Sequence, residues 1–201
     1  MLADFADFEF AQVIHLPAVY EIFDFSNGYD KDRALKSPYG IGRYNERRPG
    51  MYNTELFKSE PSAVRDIHIG IDIAAPVGTP VYAFFDGHVF AAGINSAEGD
   101  YGGTLITEHQ IGHQIIWALH GHLSHASVHK QKVGARFARG EVLAQLGSSS
   151  ENGNWNPHLH FQLARVKPER CDMPGAVNER DLAKALVEYP DPRLVLGPLY
   201  K

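Results

Sequence analysis

The sequence predicts a mainly β protein built on antiparallel strands, and three observations carry that expectation. Residues 67–73 alternate Ile67, Ile69, Ile71 and Ile73 with His68, Gly70 and Asp72, the period-2 pattern of a strand with one apolar face. Residues 157–164, PHLHFQLA, repeat the pattern with His158, His160 and Gln162 opposite Leu159, Phe161 and Leu163. Between the two lie short apolar runs punctuated by Asp-Gly and Gly-rich turns. A helix would also bring His68 and Asp72 together, but four β-branched isoleucines, a central glycine and the stop at Pro76 disfavour one.

Taken in order, residues 1–36 mix acidic and apolar side chains, and Phe5, Phe8, Phe10, Val13 and Ile14 supply the buried side of a short helix or strand. Residues 36–61 are rich in Gly, Pro, Asn and Tyr without a sustained period, so they read as an ordered arm, the kind of loop that walls a site. The isoleucine strand follows. From Pro80 the pattern predicts an antiparallel meander of VYAFF, HVFAAGI after the Asp86-Gly87 turn, and TLITEH after the turn at 99–103. Residues 114–123, QIIWALHGHL, form a further strand with Ile115, Trp117 and Leu119 on one face and Ile116, Ala118, His120 and His122 on the other. Residues 133–146 read as short strands around a glycine turn, not as a lipoyl-type carrier, since no lysine stands at the tip. A polar loop then leads into PHLHFQLA, and the proline-rich tail holds one helix over 178–187. The expected organisation is an N-terminal extension and arm over 1–60, a β domain over 61–166, and a packed extension over 167–201.

With 201 residues and 44% hydrophobic composition, one full core is expected. The net charge of -5 and the lack of a basic run argue against nucleic acid or an anionic membrane as partner. Cys171 is the single cysteine and is expected to be a bystander, while Asp4, Asp7 and Glu9 stand where a signal peptide needs basic residues and an apolar run. The expected location is therefore cytoplasmic. The Gly-rich GDYGG has neither the lysine nor the helix of a phosphate loop and reads as a turn.

Catalytic zinc typically keeps three protein ligands and leaves a fourth position to water. His68, Asp72 and one of His158 or His160 meet that count, and spacing alone does not choose between the two histidines. His122 adds an imidazole suited to acid/base work near neutral pH. An isolated His-x-x-x-Asp is more often a solvent-facing pair, but joined to PHLH and GHL it points to metal-assisted hydrolysis.

These residues resemble the lysostaphin or LytM-type zinc metallopeptidases, many of which cut peptide cross-links in bacterial peptidoglycan. The likeness runs through HIGIDIAAPVGTPVYAFFDGHV, GHLS and VGARFARGEVLAQLGSSS to PHLHF, roughly residues 65–163. It implies an antiparallel β-sheet or sandwich groove domain, the duplicated hybrid motif, with Zn2+ at the positions matching His68, Asp72 and His160. The positions matching His122 and His158 are the family's catalytic histidines, which orient or deprotonate the attacking water and stabilise the oxyanion. The implied partner is a peptide or a peptidoglycan fragment. Family members that have lost ligands act by binding alone, but all five residues are present here.

Several expectations attach to the surroundings. His120 stands where the family more often has tyrosine and is expected either near the oxyanion or as a partly exposed strand residue. An upstream asparagine fills the fourth metal position in latent forms of the family, which makes Asn45 and Asn53 candidates. Arg43, Arg47 and Arg48 are expected on a solvated loop, with binding of a substrate carboxylate as the alternative. GIGRYNER, ENGNW, PGAV and PDPRLVLG are also similar to a peptidase-like segment of long proteins that join phosphotransferase-like and class III aminotransferase-like domains. That second resemblance implies a small intracellular peptide or amide as the alternative substrate.

Overall fold

Short strands dominate the chain, as the period-2 runs require, and the computed structural model describes residues 5–30, 36–57 and 64–201. The last residues of the expected arm, 58–61, lie outside the described residues. In order come β1 (Glu21–Ile22), β2 (Gly40–Gly42), β3 (Glu46–Arg47), β4 (Ile67–His68), β5 (Ile71–Ala74), β6 (Pro80–Tyr82) and β7 (Gly87–Asn95). They are followed by β8 (Gly102–Ile111), β9 (Gln114–Leu123), α1 (His125–His129), β10 (Arg136–Phe137) and β11 (Val142–Gln145). The chain ends with β12 (His158–Ala164), β13 (Ala176–Val177), α2 (Glu179–Glu188) and α3 (Arg193–Leu196). Eight strands form one sheet in the order β1-β2-β5-β12-β9-β8-β7-β10, antiparallel except for the β1–β2 pair.

One face of this sheet is a continuous apolar core. Ile71, Ile73, Leu105, Ile116, Leu159, Phe161 and Leu163 on it are sealed from solvent, and Phe84, Val81 and Leu143 cover them from the β6–β11 side. Burying each such large side chain contributes about 1.5–3 kcal/mol, so the alternation fixes which face of β5 and β12 turns inward. The opposite face is left for His158, His160, Gln162 and Asp72.

Three expectations need correction. The isoleucine segment is not one strand, because it breaks after His68 and resumes at Ile71, and its two halves join different sheets. Gly70 has φ +151°, a conformation that side chains rarely adopt, and it lets the chain step from one sheet to the other. Ile67 and Ile69 accordingly pack with Val177 and Ala185 beneath α2, whereas Ile71 and Ile73 enter the main core. The meander starts one strand later than expected, since β6 pairs with β11 in a separate two-stranded sheet and Asp86-Gly87 joins no hairpin. His122 leaves the face it shares by parity with Ile116, Ala118 and His120, because its own φ is +64°.

The extensions are woven into the fold. β2 of the arm pairs with β5 in the register Gly42↔Asp72, and β3 pairs with β4 in the register Glu46↔His68. From the tail, β13 pairs with the other edge of β4, and α2 is capped by Asn178, whose side chain accepts a bond from the Asp181 amide.

Candidate metal centre

β12 and β5 lie side by side with His160 directly opposite Asp72, and β4 brings His68 over the same spot. His68 Nε2 is 3.1 Å from His160 Nδ1 and 3.2 Å from Asp72 Oδ1, and His160 Nδ1 is 3.1 Å from the same carboxylate oxygen. His68 and His160 are buried, and the three side chains are the one group among the described residues arranged to hold a metal ion.

The hydrogen bonds behind these atoms decide what faces inward. His68 Nδ1 donates to the Arg43 carbonyl at 2.9 Å, which leaves Nε2 with a lone pair. Gln162 donates its amide to the Pro174 carbonyl, so its Oε1 accepts the proton of His160 Nε2 at 3.0 Å and leaves Nδ1 with a lone pair. Two imidazole lone pairs and a carboxylate oxygen thus converge with no proton to share between them, an arrangement that repels itself unless a cation sits among them. A tetrahedron with arms of about 2.0–2.1 Å has edges of about 3.3–3.4 Å, close to the spacing here, and a mixed imidazole and carboxylate set suits zinc better than calcium or magnesium.

Ionisation agrees with that reading. Burial, assisted by the Arg48 charge, pushes the His68 imidazole down to about 4, so it stays neutral at physiological pH. Burial opposes ionisation of Asp72 as well, but the adjacent His68 and Arg48 outweigh it and hold the carboxyl well below its usual range.

His122 and His158 stand beside this group with ring centroids 4.2 Å apart. Both commit Nδ1 to a backbone carbonyl of the 147–156 loop, His122 to Asn152 at 3.0 Å and His158 to Asn156 at 2.6 Å. Each therefore presents Nε2 as an acceptor, and that of His158 lies 3.7 Å from Asp72 Oδ1. Burial lowers both rings below their ordinary pKa, His122 further than His158. The five residues singled out from sequence are thus together in one place.

The site forms the floor of a groove of about 760 Å³. Phe25, Tyr52, Trp155, Tyr101 and Met173 are among the residues that line it. Tyr101 packs its ring 5.0 Å from that of His160 and donates its hydroxyl to the Met173 carbonyl. The arm does line the groove, through Pro38, Arg48, Met51 and Tyr52, but not through its asparagines. Asn45 and Asn53 are exposed and absent from the groove wall, and Asn45 instead turns the chain in left-handed geometry to bond the His68 carbonyl.

The expectations for His120 and Arg48 are corrected too. His120 is fully buried on the core face, edge-on to Phe161 at 5.3 Å, with neither ring nitrogen hydrogen-bonded. It lies behind the sheet because it sits opposite Phe161 in register, one residue out of phase with His160. Arg48 is neither solvated nor free to meet a substrate: it is 1% exposed and bonds Asp72 Oδ2 at 2.6 Å. Arg43 and Arg47 are paired, with Glu46 and Asp24 and with Asp66 and Glu179 respectively. Arg48, Tyr52 and Tyr101 carry no period-2 or ligand-spacing signal, and only the flanking glycines of GDYGG mark Tyr101 as a place of close approach.

Comparison with known proteins gives the following. The sequence profile of Peptidase family M23 matches residues 66–173. Over 100 residues, 50% of this chain and 20% of the relative, the sequence is 36% identical to the DD-carboxypeptidase/endopeptidase Mpg of Neisseria meningitidis serogroup B. It is 33% identical over 113 residues to the peptidoglycan DD-endopeptidase ShyB of Vibrio cholerae serotype O1, covering 54% of this chain and 24% of that protein. It is 36% identical over 95 residues to the glycyl-glycine endopeptidase ALE-1 of Staphylococcus capitis, covering 47% and 24%. The chain thus spans about a fifth to a quarter of the length of these relatives. Among solved structures, the catalytic domain of the prophage-encoded M23 protein EnpA from Enterococcus faecalis has 26% identity and a TM-score of 0.48, covering 72% of this chain and 92% of that one.

Proposed function

The chain belongs to peptidase family M23, and on that premise we propose that it is a zinc-dependent peptide hydrolase. Its ligands in this reading are His68, Asp72 and His160, and its proton-transfer residues are His122 and His158. The observation that supports it most is the convergence of two imidazole lone pairs and one carboxylate oxygen, each held from behind by a hydrogen bond, at the floor of an open groove. A bound zinc supplies a Lewis acid for the carbonyl under attack.

The remaining work falls to the chain itself. His122 and His158 have their Nδ1 protons committed to Asn152 and Asn156, so Nε2 of one takes a proton from the attacking water and returns it to the leaving amine, while Nε2 of the other accepts a hydrogen bond from that water and orients it. Burial keeps both rings neutral, hence basic, at physiological pH. The aromatic walls of the groove lower the local dielectric beside the site, which strengthens charge interactions there.

The substrate class comes from the relatives, named as DD-endopeptidases and a glycyl-glycine endopeptidase. The proposed substrate is accordingly a short peptide of the peptidoglycan cross-link type. The test is metal analysis of the purified protein, followed by mass spectrometry of digests of cross-linked muropeptides, D-alanyl peptides and pentaglycine. One zinc per chain and cleavage of one of these peptides is the expected result. Absence of zinc, full metal occupancy in a His68→Ala, His160→Ala double variant, or inertness of the zinc-loaded protein toward all three would overturn the reading.

A further inference from the structure

Behind Asp72, on the side away from the histidines, lies a buried charge. Asp72 Oδ1 faces His68 and His160, while Oδ2 receives Nη1 of Arg48 at 2.6 Å. Arg48 comes from the arm, just after β3, and its guanidinium is gripped on all sides. Nε donates to Glu46 at 3.0 Å, Nη1 also reaches the Tyr52 hydroxyl at 3.1 Å, and Nη2 donates to the Arg43 carbonyl at 3.3 Å. The plane also lies 5.0 Å over the Phe25 ring. Glu46 is in turn held by Arg43 at 2.5 Å, so charges alternate along Arg43, Glu46, Arg48 and Asp72 up to the candidate ligand. Room for this is made at Gly42, where an added Cβ would lie 2.8 Å from Arg48 Nη2 and 3.1 Å from Asp72.

A fully buried arginine is costly unless its donors are satisfied, and a surface arm needs no such residue to hold itself in place. We propose that Arg48 is a positioning residue for the metal: by occupying Oδ2 it fixes the rotation of the Asp72 carboxylate and leaves one oxygen, Oδ1, to the ion. The same contact makes the arm part of the metal site, so that docking of the arm and metal binding favour each other. Lysine cannot substitute, because one ammonium does not span Glu46 and Asp72 as a planar guanidinium does. The inference rests on the proposed zinc site but concerns a residue that touches neither zinc nor substrate.

The test compares full-length wild type, Arg48→Gln and Arg48→Lys. Zinc affinity is measured by competition with a chromophoric chelator, the visible spectrum is recorded after loading with cobalt(II), and melting is followed in excess chelator. Both variants are expected to bind zinc about 10- to 100-fold more weakly, the usual effect of losing a residue that orients a ligand. Their cobalt spectra are expected to change in shape and intensity as the freed carboxylate turns toward the ion. Arg48→Lys keeps the charge and the buried stem, so it remains informative if Arg48→Gln does not fold. Zinc affinity equal to or above that of wild type with an unchanged cobalt spectrum would overturn the proposal, even with a lowered metal-free melting temperature, since that would show a purely structural ion pair. A wild-type protein that binds no zinc would overturn the proposed function itself and this inference with it, an outcome distinct from failure at Arg48 alone.

Discussion

Replacing Gly70 with alanine perturbs the one backbone position on which the site depends most directly. At φ +151° a non-glycine residue is strained by about 1–3 kcal/mol. The new Cβ would also lie 2.5 Å from His160 Cε1 and 2.7 Å from Nε2, where ordinary contact begins near 3.4 Å. The ring, or the strand beneath it, must then retreat by about 1 Å. Such a move breaks the 3.0 Å bond to Gln162 and carries Nδ1 out of its 3.1 Å contacts with His68 and Asp72. Stability should fall by about 1–3 kcal/mol in urea titrations of the metal-free protein, and zinc affinity by about 10- to 100-fold in chelator competition. Gly78→Ala is the control, because its φ is +81° but nothing lies within 4 Å of the added carbon, so it should lower stability modestly and leave zinc affinity untouched. Gly70→Ala with wild-type zinc affinity would refute the argument that this glycine exists to admit His160.

His122→Ala and His158→Ala are each expected to retain zinc and to lose about 100-fold or more of peptide hydrolysis, and loss of metal from either would show that the roles have been divided wrongly. His109 gives a pH prediction away from the site: burial pushes its ring down to about 4, and its nitrogens are spent on Thr107 and the Asp86 carbonyl. The unfolded chain therefore takes up this proton first, and the stability involved is complete above about pH 6.5 and is lost as pH falls toward 4, with roughly 2 kcal/mol gone by pH 5. Urea titrations of wild type and His109→Gln at pH 7.5 and 5 should converge by that amount, and parallel pH profiles would refute it. We also propose that the protein acts in the cytoplasm, a reading supported by the lone Cys171, which calls for no oxidising compartment. Fractionation that finds it mainly outside the cytoplasm, with efficient digestion of intact sacculi, would reverse that reading.

What could be read from the sequence and what could not divide along one physical line. Strand periodicity reports on residues that choose between a core and a polar face, so β12 and the His68 and Asp72 pair stood out, and the helix expected over 178–187 is α2, with Asn178 as its cap. Periodicity says nothing about where a strand changes sheets, which is why the break at Gly70 and the pairing of β6 with β11 were not visible. It also assumes ordinary backbone angles, and the left-handed His122 violates them, so its parity with His120 misled in both directions. Arg48 was hidden for a different reason: a buried arginine between two carboxylates and a solvated one in a turn have the same local sequence, and only the pairing of β3 with β4 and of β2 with β5 brings it to Asp72.

The uncommon backbone angles themselves follow a pattern. Among the described residues, the non-glycine positions with positive φ are Asn45, His122 and Asn154. Asn45 bonds the carbonyl of His68, His122 is in the site, and Asn154 shapes the loop whose carbonyls at 152 and 156 hold His122 and His158. Each of these three touches one of the five polar residues at the groove floor or the loop that orients them, and Gly70, one of eleven positive-φ glycines among the described residues, lies against His160 between the two halves of the isoleucine segment. Left-handed geometry costs about 1–2 kcal/mol for most side chains, less for asparagine, and persists only where neighbours over-determine it. The continuous core on the other face of the sheet supplies that rigidity. Flat antiparallel strands alone would point His122 into the core beside His120; the distortions gather lone pairs from four strands in one place.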